Sequence, residues 1–109
     1  MTPYDAFQTL ELRVGRIQKA EPHPKARKPA YQLWIDLGPL GVKQSSAQLT
    51  ELYTPEALVG RLVICATNLG ERNIAGFKSE VLVLGLPDAQ GRVVLLSVER
   101  EVPLGGRVY

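Results

Sequence analysis

The chain contains very few of the residues from which disulfides, metal sites and catalytic sets are built. Its 109 residues include one cysteine, one histidine, one methionine and one tryptophan. A single cysteine excludes an internal disulfide, and a metal site is not expected from one histidine and one cysteine. The chain also has no G-x-S-x-G, phosphate-binding-loop or paired-cysteine motif. We therefore expect no metal, no cofactor and no enzyme activity.

Long apolar runs are absent as well. No stretch approaches the roughly 20 apolar residues that cross a bilayer, and residues 1–5 lack the basic and apolar regions of a signal peptide. These features predict a soluble cytoplasmic protein without membrane insertion. The lone Cys65 lies in the apolar run 61–67, which favours a small buried side chain over a reactive thiol.

The charge balance gives little sign of a strong polyanion binder, because the net charge is only +2. Its distribution is less even. Six basic residues lie between Arg13 and Lys28 against the single acid Glu21, whereas four acids lie in 80–101 against two arginines. This pattern fits either a molecule with one basic end or ordinary solvated strand faces.

Capping signals predict two short helices, and alternation predicts the strands between them. Thr2-Pro3 and Thr54-Pro55 are typical helix starts. The first strand begins near Leu10 and slips phase at Gly15-Arg16, which indicates a β-bulge. The proline-rich segment 21–29 is predicted to be a loop. The remaining predicted strands are 31–37, a third strand carrying 43–48, 62–66, 81–86 and 93–96.

This order of elements predicts the fold. Three strands, a short helix and then more strands is the order of the OB-fold, an all-β, five-stranded Greek-key barrel. An SH3-like barrel or a small sandwich is the alternative, although neither is expected to place a capped helix after the third strand. We expect one domain over 1–109, with an N-terminal helix in 1–9, the barrel in 10–98 and a C-terminal extension in 99–109. The extension is apolar enough to suggest a contact between two copies.

Two segments, 41–50 and 74–80, place a lysine beside small hydroxyl or amide residues. Such side chains donate hydrogen bonds to phosphates, sugar hydroxyls or peptide carbonyls, and none of them forms a catalytic set. They therefore predict a binding surface. The residues concerned are Lys43, Gln44, Ser45, Ser46, Gln48, Lys78 and Ser79.

Three other features bear on the site, and two of them leave alternatives open. Trp34 lies in the outward phase of the second strand, where it could stack a base or grip a peptide, or could be covered by the N-terminal helix or a dimer contact. His23, between two prolines, is predicted to be an exposed surface residue. Segment 68–76 is predicted to be a loop whose Asn68, Arg72 and Asn73 contact phosphates or bases, or simply to be a turn.

Several runs of the sequence resemble the tRNA-binding OB domain, which occurs as a free dimeric protein and as an appendage of some methionyl-tRNA synthetases. They are 7–17, 20–21, 23–24, 53–60 and 68–69. Further segments resemble the CsaA group of bacterial secretion-associated chaperones. They are 26–27, 29–30, 43–48 and 74–85. Compared with the tRNA-binding relatives, the loop 26–31 is one residue longer and has Arg27 in place of an aspartate.

The resemblance implies a non-catalytic homodimer that holds unfolded or export-bound polypeptides and binds tRNA, with a secretory translocase component as a further partner. The alternative is a dedicated tRNA-binding module, or an assembly factor for a synthetase or translocase. The residues predicted to bind nucleic acid are Arg27, Lys28, Asn68, Arg72, Lys78 and Ser79. Those predicted to bind peptide are Trp34, Lys43, Gln44, Ser45, Ser46, Gln48 and Phe77, although a phenylalanine is more often part of a core.

Overall fold

A five-stranded antiparallel sheet, curled into a nearly closed barrel, is the frame of the computed structural model, which describes residues 1–109. The strands are β1 (Leu12–Pro22), β2 (Tyr31–Asp36), β3 (Val42–Ala47), β4 (Leu62–Ala66), β5 (Arg72–Ile74), β6 (Phe77–Ser79), β7 (Leu82–Val83), β8 (Gly85–Pro87) and β9 (Val93–Leu95). The order in the main sheet is β3-β2-β1-β4-β7, and β5-β6 and β8-β9 form separate two-stranded hairpins. This architecture confirms the predicted OB-type barrel.

Both predicted helices are confirmed, with the predicted caps. Helix α1 is Pro3–Thr9 and helix α2 is Pro55–Leu58. In each, the hydroxyl of the preceding threonine accepts a hydrogen bond from the third helical amide, at 3.1 and 3.2 Å. A 3₁₀ turn, Gly38–Leu40, joins β2 to β3. The two helices, of seven and four residues, are far shorter than a helix that spans a bilayer.

The barrel core follows the alternation of β2 and the continuous apolar run of β4. Tyr31, Leu33 and Ile35 are buried and their neighbours are only half-buried, as period-2 alternation requires. All five residues of β4 are buried. The main core cluster consists of Ile17, Tyr31, Leu33, Ile35, Leu37, Leu49, Leu58, Val63, Cys65, Val81 and Leu95.

The β-bulge in β1 exists but lies later than predicted. The register with β2 shifts between Ile17 and Lys19, so Gln18 is the extra residue. Gly15 has a different role, because a Cβ atom there would lie 2.6 Å from Ile35 Cγ2 and 2.8 Å from Leu37 Cδ2. The glycine therefore permits close packing of β1 against the core rather than the bulge itself.

Two segments predicted to be loops contain strand residues. Glu21 and Pro22 belong to β1, and Pro22 pairs with Tyr31, so the prediction of a loop from residue 21 was wrong. A proline cannot donate an amide hydrogen bond to a β-ladder, so it is tolerated at the end of a strand. Here Pro22 is the last residue of β1. The segment 68–76 was also expected to lack regular structure, but its second half forms β5 and the turn into β6.

The turn of the β5–β6 hairpin explains why it escaped prediction. Ala75 and Gly76 both have positive φ angles, 50° and 87°, as a tight hairpin turn requires. The usual Asn-Gly or Asp-Gly signal is replaced by Ala-Gly. The side chain of Asn73 supports the turn instead, because its Oδ1 accepts a hydrogen bond from the Gly76 amide at 2.8 Å.

Segment 81–86, predicted to be one strand, is divided into β7 and β8. The division occurs at Leu84, whose amide donates to the Ile64 carbonyl in β4 while its carbonyl accepts from the Leu96 amide. The chain thus leaves β4 at this point and pairs with β9 through β8.

The C-terminal segment packs on its own chain. Segment 105–108 runs beside the start of β1, where Gly105 donates to the Val14 carbonyl and Val108 to the Leu12 carbonyl, both at 2.8 Å. It pairs with the first residues of β1, which precede the part of β1 that pairs with β2. A contact of 99–109 with a second copy stays a prediction.

We expect Gly15→Ala to destabilise the fold by about 1–3 kcal/mol, because the added methyl overpacks the core against Ile35 and Leu37. Urea unfolding of the variant measures this change. Gln18→Ala is the control, since Gln18 is exposed and its substitution should change stability by less than about 0.5 kcal/mol. Equal stability of Gly15→Ala and wild type would contradict this account of β1.

Candidate ligand-binding groove

A groove of about 1100 Å³ opens between the loop 23–30, the end of β3 and the tip of the β5–β6 hairpin. We call it the basic groove. Its rim carries Arg27 and Lys28 from the loop and Arg72 from the hairpin. Its floor is aliphatic, and no carboxylate lines it. The floor residues are Ala47, Leu49, Leu82, Val83 and Val93.

The three cations of the rim are available to a ligand. Arg27, Lys28 and Arg72 are exposed, and none of them takes part in any of the salt bridges of the structure. Most basic residues elsewhere on the surface are paired with a glutamate or aspartate. The positive potential of the groove is thus not neutralised locally, which favours an anionic ligand.

The end of β3 adds polar groups to the same groove. Ser46 and Gln48 both line it. The backbone amide of Gln48 makes no hydrogen bond within the chain, and the residue is exposed. An unpaired amide at the end of an edge strand can donate to a carbonyl or phosphate oxygen.

The hairpin is held over the outer face of the sheet by a row of rings. The Phe77 ring lies edge-on to Trp34 at 5.5 Å and to His23 at 5.8 Å between centroids. The ammonium of Lys19 lies over the Trp34 ring, 4.7 Å from its centroid. Trp34 is half-buried in contact with Phe77 and Lys19, and it does not line the basic groove.

His23 is buried, with only 6% of its surface exposed, so the prediction of an exposed loop residue was wrong. Its Nε2 lies 2.7 Å from the carbonyl oxygen of Ile74. The burial comes from the hairpin, which sequence analysis had interpreted as an open loop. Because the hairpin was not predicted, the burial of His23 was not predicted either.

The two lysine-containing segments do lie side by side, but many of their polar groups bond to each other. The Ser46 amide donates to Ser79 Oγ at 3.0 Å, and the Gln44 amide donates to a Glu80 carboxylate oxygen at 3.1 Å. The Lys43 ammonium lies 3.9 Å from the same carboxylate. These bonds fasten the edge of β3 to β6.

The Gln44 side chain completes this attachment. In the amide orientation that satisfies both neighbours, its oxygen accepts from Trp34 Nε1 at 3.1 Å and its nitrogen donates to the Lys78 carbonyl at 3.0 Å. The side chain thus joins β2 to β6 through two hydrogen bonds. Its polar atoms are engaged inside the protein.

Other residues predicted to bind ligand lie outside the basic groove. The Ser45 side chain is buried, with 1% of the residue exposed, and Phe77 belongs to the ring row. Asn68 accepts from the Glu11 amide at 2.9 Å and donates to the Thr9 carbonyl at 2.8 Å, which ties its loop to the start of β1. Lys78 is exposed and lies 3.7 Å from Glu71.

The structure thus brings together five of the predicted site residues in one groove, drawn from both predicted sets. They are Arg27, Lys28, Ser46, Gln48 and Arg72. Sequence analysis missed the aliphatic floor. Leu82 is 50% exposed there, but in the apolar run 81–84 the sequence does not distinguish it from buried Val81 or half-buried Val83.

The lone thiol of the chain is held in the core. Burial raises the pKa of the Cys65 thiol from 9.0 to about 12, so the thiolate is negligible near neutral pH. No group of three or more histidine, cysteine, aspartate or glutamate residues could hold a metal ion. What the site offers is cations, an aliphatic surface and hydrogen-bond donors.

A small antiparallel barrel with such a groove at its side belongs to the OB-type class of ligand-binding domains. Residues 12–107 match the family described as putative tRNA binding domain, and the chain belongs to that family. Among solved structures, it is similar to chaperone CsaA from Bacillus anthracis, with 48% identity, a TM-score of 0.91 and coverage of 100% and 99% of the two chains. The CsaA chaperone protein from Picrophilus torridus has 38% identity, a TM-score of 0.92 and full coverage of both.

The chain is also similar to part of the methionine–tRNA ligase of Thermococcus kodakarensis, with 38% identity over 105 residues. The match covers 96% of this chain but 14% of the ligase. The chain thus spans about one seventh of the length of such curated relatives. These similarities agree with the CsaA-like resemblance of the sequence.

We expect the native Cys65 thiol to resist modification, because its raised pKa and full burial deny a reagent both thiolate and access. Reaction with a disulfide reagent at pH 8 should be at least about a hundredfold slower in the folded protein than in 6 M guanidinium. Rapid stoichiometric modification of the folded chain would contradict the placement of Cys65 in the core.

Proposed function

We propose that this chain is a non-catalytic binding protein whose basic groove takes exposed segments of tRNA and extended segments of unfolded polypeptide. The observation that carries the proposal is the composition of the groove: three unpaired cations on the rim and no carboxylate anywhere in the lining. A ligand with regularly spaced anions or carbonyl oxygens matches this surface. Family membership supports tRNA as one such ligand.

Recognition of tRNA would depend on the phosphate backbone more than on the bases. Arg27, Lys28 and Arg72 can each contact a phosphate, and phosphate contacts position a nucleic acid without reading its sequence. No aromatic ring lines the groove, and Trp34 contacts Phe77 outside it. Stacking of bases would fall to the flat guanidinium groups of the two arginines. We therefore expect binding that tolerates many single-stranded sequences.

The aliphatic floor favours polypeptide as the second ligand. Half-exposed Leu82 and its neighbours Val83 and Val93 offer an apolar surface that a phosphodiester backbone does not use. The unpaired Gln48 amide could donate to the main chain of an extended peptide, as in binding to a strand edge. The two CsaA structures that resemble this chain are described as chaperones, which supports the same assignment.

We further propose that the protein acts in the cytoplasm as a homodimer and that export-bound chains are among its polypeptides. Two grooves on one particle would raise the apparent affinity for long chains through effective concentration. A dedicated tRNA-binding module is the competing hypothesis. It would require the groove to bind RNA without measurable affinity for polypeptide.

We expect the rim cations to govern the salt dependence of tRNA binding. For a single-stranded segment, each lost phosphate contact should lower the slope of log Kd against log salt by about 0.7. Arg27→Ala with Arg72→Ala should therefore lower it by about 1.4 and weaken binding at low salt, as measured by fluorescence anisotropy with labelled tRNA.

The control for this experiment is Arg100→Ala, which removes an exposed cation paired with Glu99 outside the groove. Its slope and affinity should remain close to wild type. An equal loss in the control and the groove variant would show that only the overall charge of the protein matters.

The aliphatic floor should be needed for polypeptide and not for tRNA. Leu82→Ser should weaken binding of an unfolded peptide about fivefold, since covering the exposed half of a leucine contributes about 1 kcal/mol. Isothermal titration with the reduced, unfolded peptide measures the change. Leu86→Ser is the control, because Leu86 is similarly exposed, at 55%, but lies outside the groove. Equal weakening by both substitutions would exclude the floor as the peptide site.

A further inference from the structure

One buried side chain connects the two walls of the basic groove. His23 begins the loop that carries Arg27 and Lys28, and its backbone amide donates to the Ala30 carbonyl at 2.9 Å across the base of that loop. Its side chain crosses to the opposite wall, where Nε2 meets the Ile74 carbonyl at 2.7 Å. Ile74 lies in the strand that carries Arg72.

The hydrogen bond has a defined direction. A backbone carbonyl can only accept, so Nε2 carries the proton and donates. Nδ1 is then an acceptor, and it is buried with no hydrogen-bond partner. Burying an unpartnered acceptor is unfavourable, and an apolar side chain would fill the same space without that penalty. The His23 side chain therefore makes a single hydrogen bond, and that bond is to the hairpin.

Strand β5 has no other hydrogen bond to the barrel. The Gln44, Ser46 and Glu80 bonds described above all attach the hairpin through β6 or the residues just after it. Within the hairpin, β5 pairs only with β6. A two-stranded hairpin is marginal by itself in water. Beyond its pairing with β6, the hydrogen bond between His23 and Ile74 is therefore the one polar attachment of β5, and with it of Arg72, to the barrel.

We infer that His23 is a positioning residue that fixes the distance between Arg72 and the Arg27–Lys28 pair across the groove. The effect of His23 on ligand binding rests on the proposed function, whereas its effect on the position of β5 does not. With the bond present, cations on both walls engage one ligand strand together. Without it, β5 is free to move away and Arg72 no longer contributes to the site.

The test uses the full chain with three substitutions of His23. His23→Leu and His23→Met fill the space without a donor, and His23→Gln places an amide donor near the position of Nε2. Hydrogen exchange of the amides in 72–79 reports on the hairpin, and exchange of the β4 amides reports on the barrel. The leucine and methionine variants should exchange about tenfold faster in the hairpin, with β4 unchanged, as expected for loss of one hydrogen bond. The glutamine variant should restore wild-type exchange in the hairpin.

Binding of labelled tRNA supplies a coupled test. Arg72→Ala should lower the salt slope by about 0.7 in wild type but change it little in the His23→Leu or His23→Met background, whereas Arg27→Ala should retain its effect in both. The inference is overturned if hairpin exchange is unchanged in the donor-free variants, or if their effects add fully to that of Arg72→Ala. A wild type that does not bind tRNA would remove tRNA from the proposed function, and the exchange result would still decide whether His23 positions β5.

Discussion

The packing of the β5–β6 hairpin against the outer face of the barrel is the constraint on which the site depends. Phe77 lies between Trp34 and His23, and the bonds from β3 to the residues around β6 hold one side of the hairpin. This packing sets Trp34, an aromatic residue of the outer sheet face, against Phe77 and leaves it half-buried. It also creates the basic groove, because the hairpin is one of its walls. Cationic and aliphatic side chains therefore meet in a cleft beside the hairpin rather than on an open sheet face.

The groove combines two kinds of surface that are usually considered separately. Its rim is cationic and its floor is aliphatic, so an anionic strand and an apolar peptide would use overlapping space through different contacts. Electrostatic attraction to the rim is screened by salt, whereas burial against the floor is not. Ionic strength alone could therefore shift the balance between the two ligands. The matching family is described as a putative tRNA binding domain, and the two similar CsaA structures are described as chaperones.

Sequence reasoning recovers the barrel because its signals are local. The threonine–proline helix starts and the alternation of 31–37 each follow from one short segment. The hairpin was missed because its turn uses Ala75 at a positive φ angle, without the usual asparagine or aspartate. That single omission explains the wrong placement of His23 and the uncertainty over Trp34. Arg27, Lys28 and Arg72 could be chosen from the sequence as candidate nucleic-acid contacts, but their meeting across a groove depends on long-range packing that spacing does not encode.

A competition titration tests the central claim most directly. Labelled tRNA is bound to the protein at low salt, and an unfolded export-precursor peptide is added while anisotropy is followed, with the titration repeated at physiological salt. A shared groove predicts that the peptide displaces tRNA completely at low salt, with an inhibition constant equal to the Kd of the peptide measured alone. It also predicts that peptide binding survives at physiological salt while tRNA binding weakens steeply. Simultaneous binding of both ligands, or tRNA binding that peptide does not affect, would contradict the account.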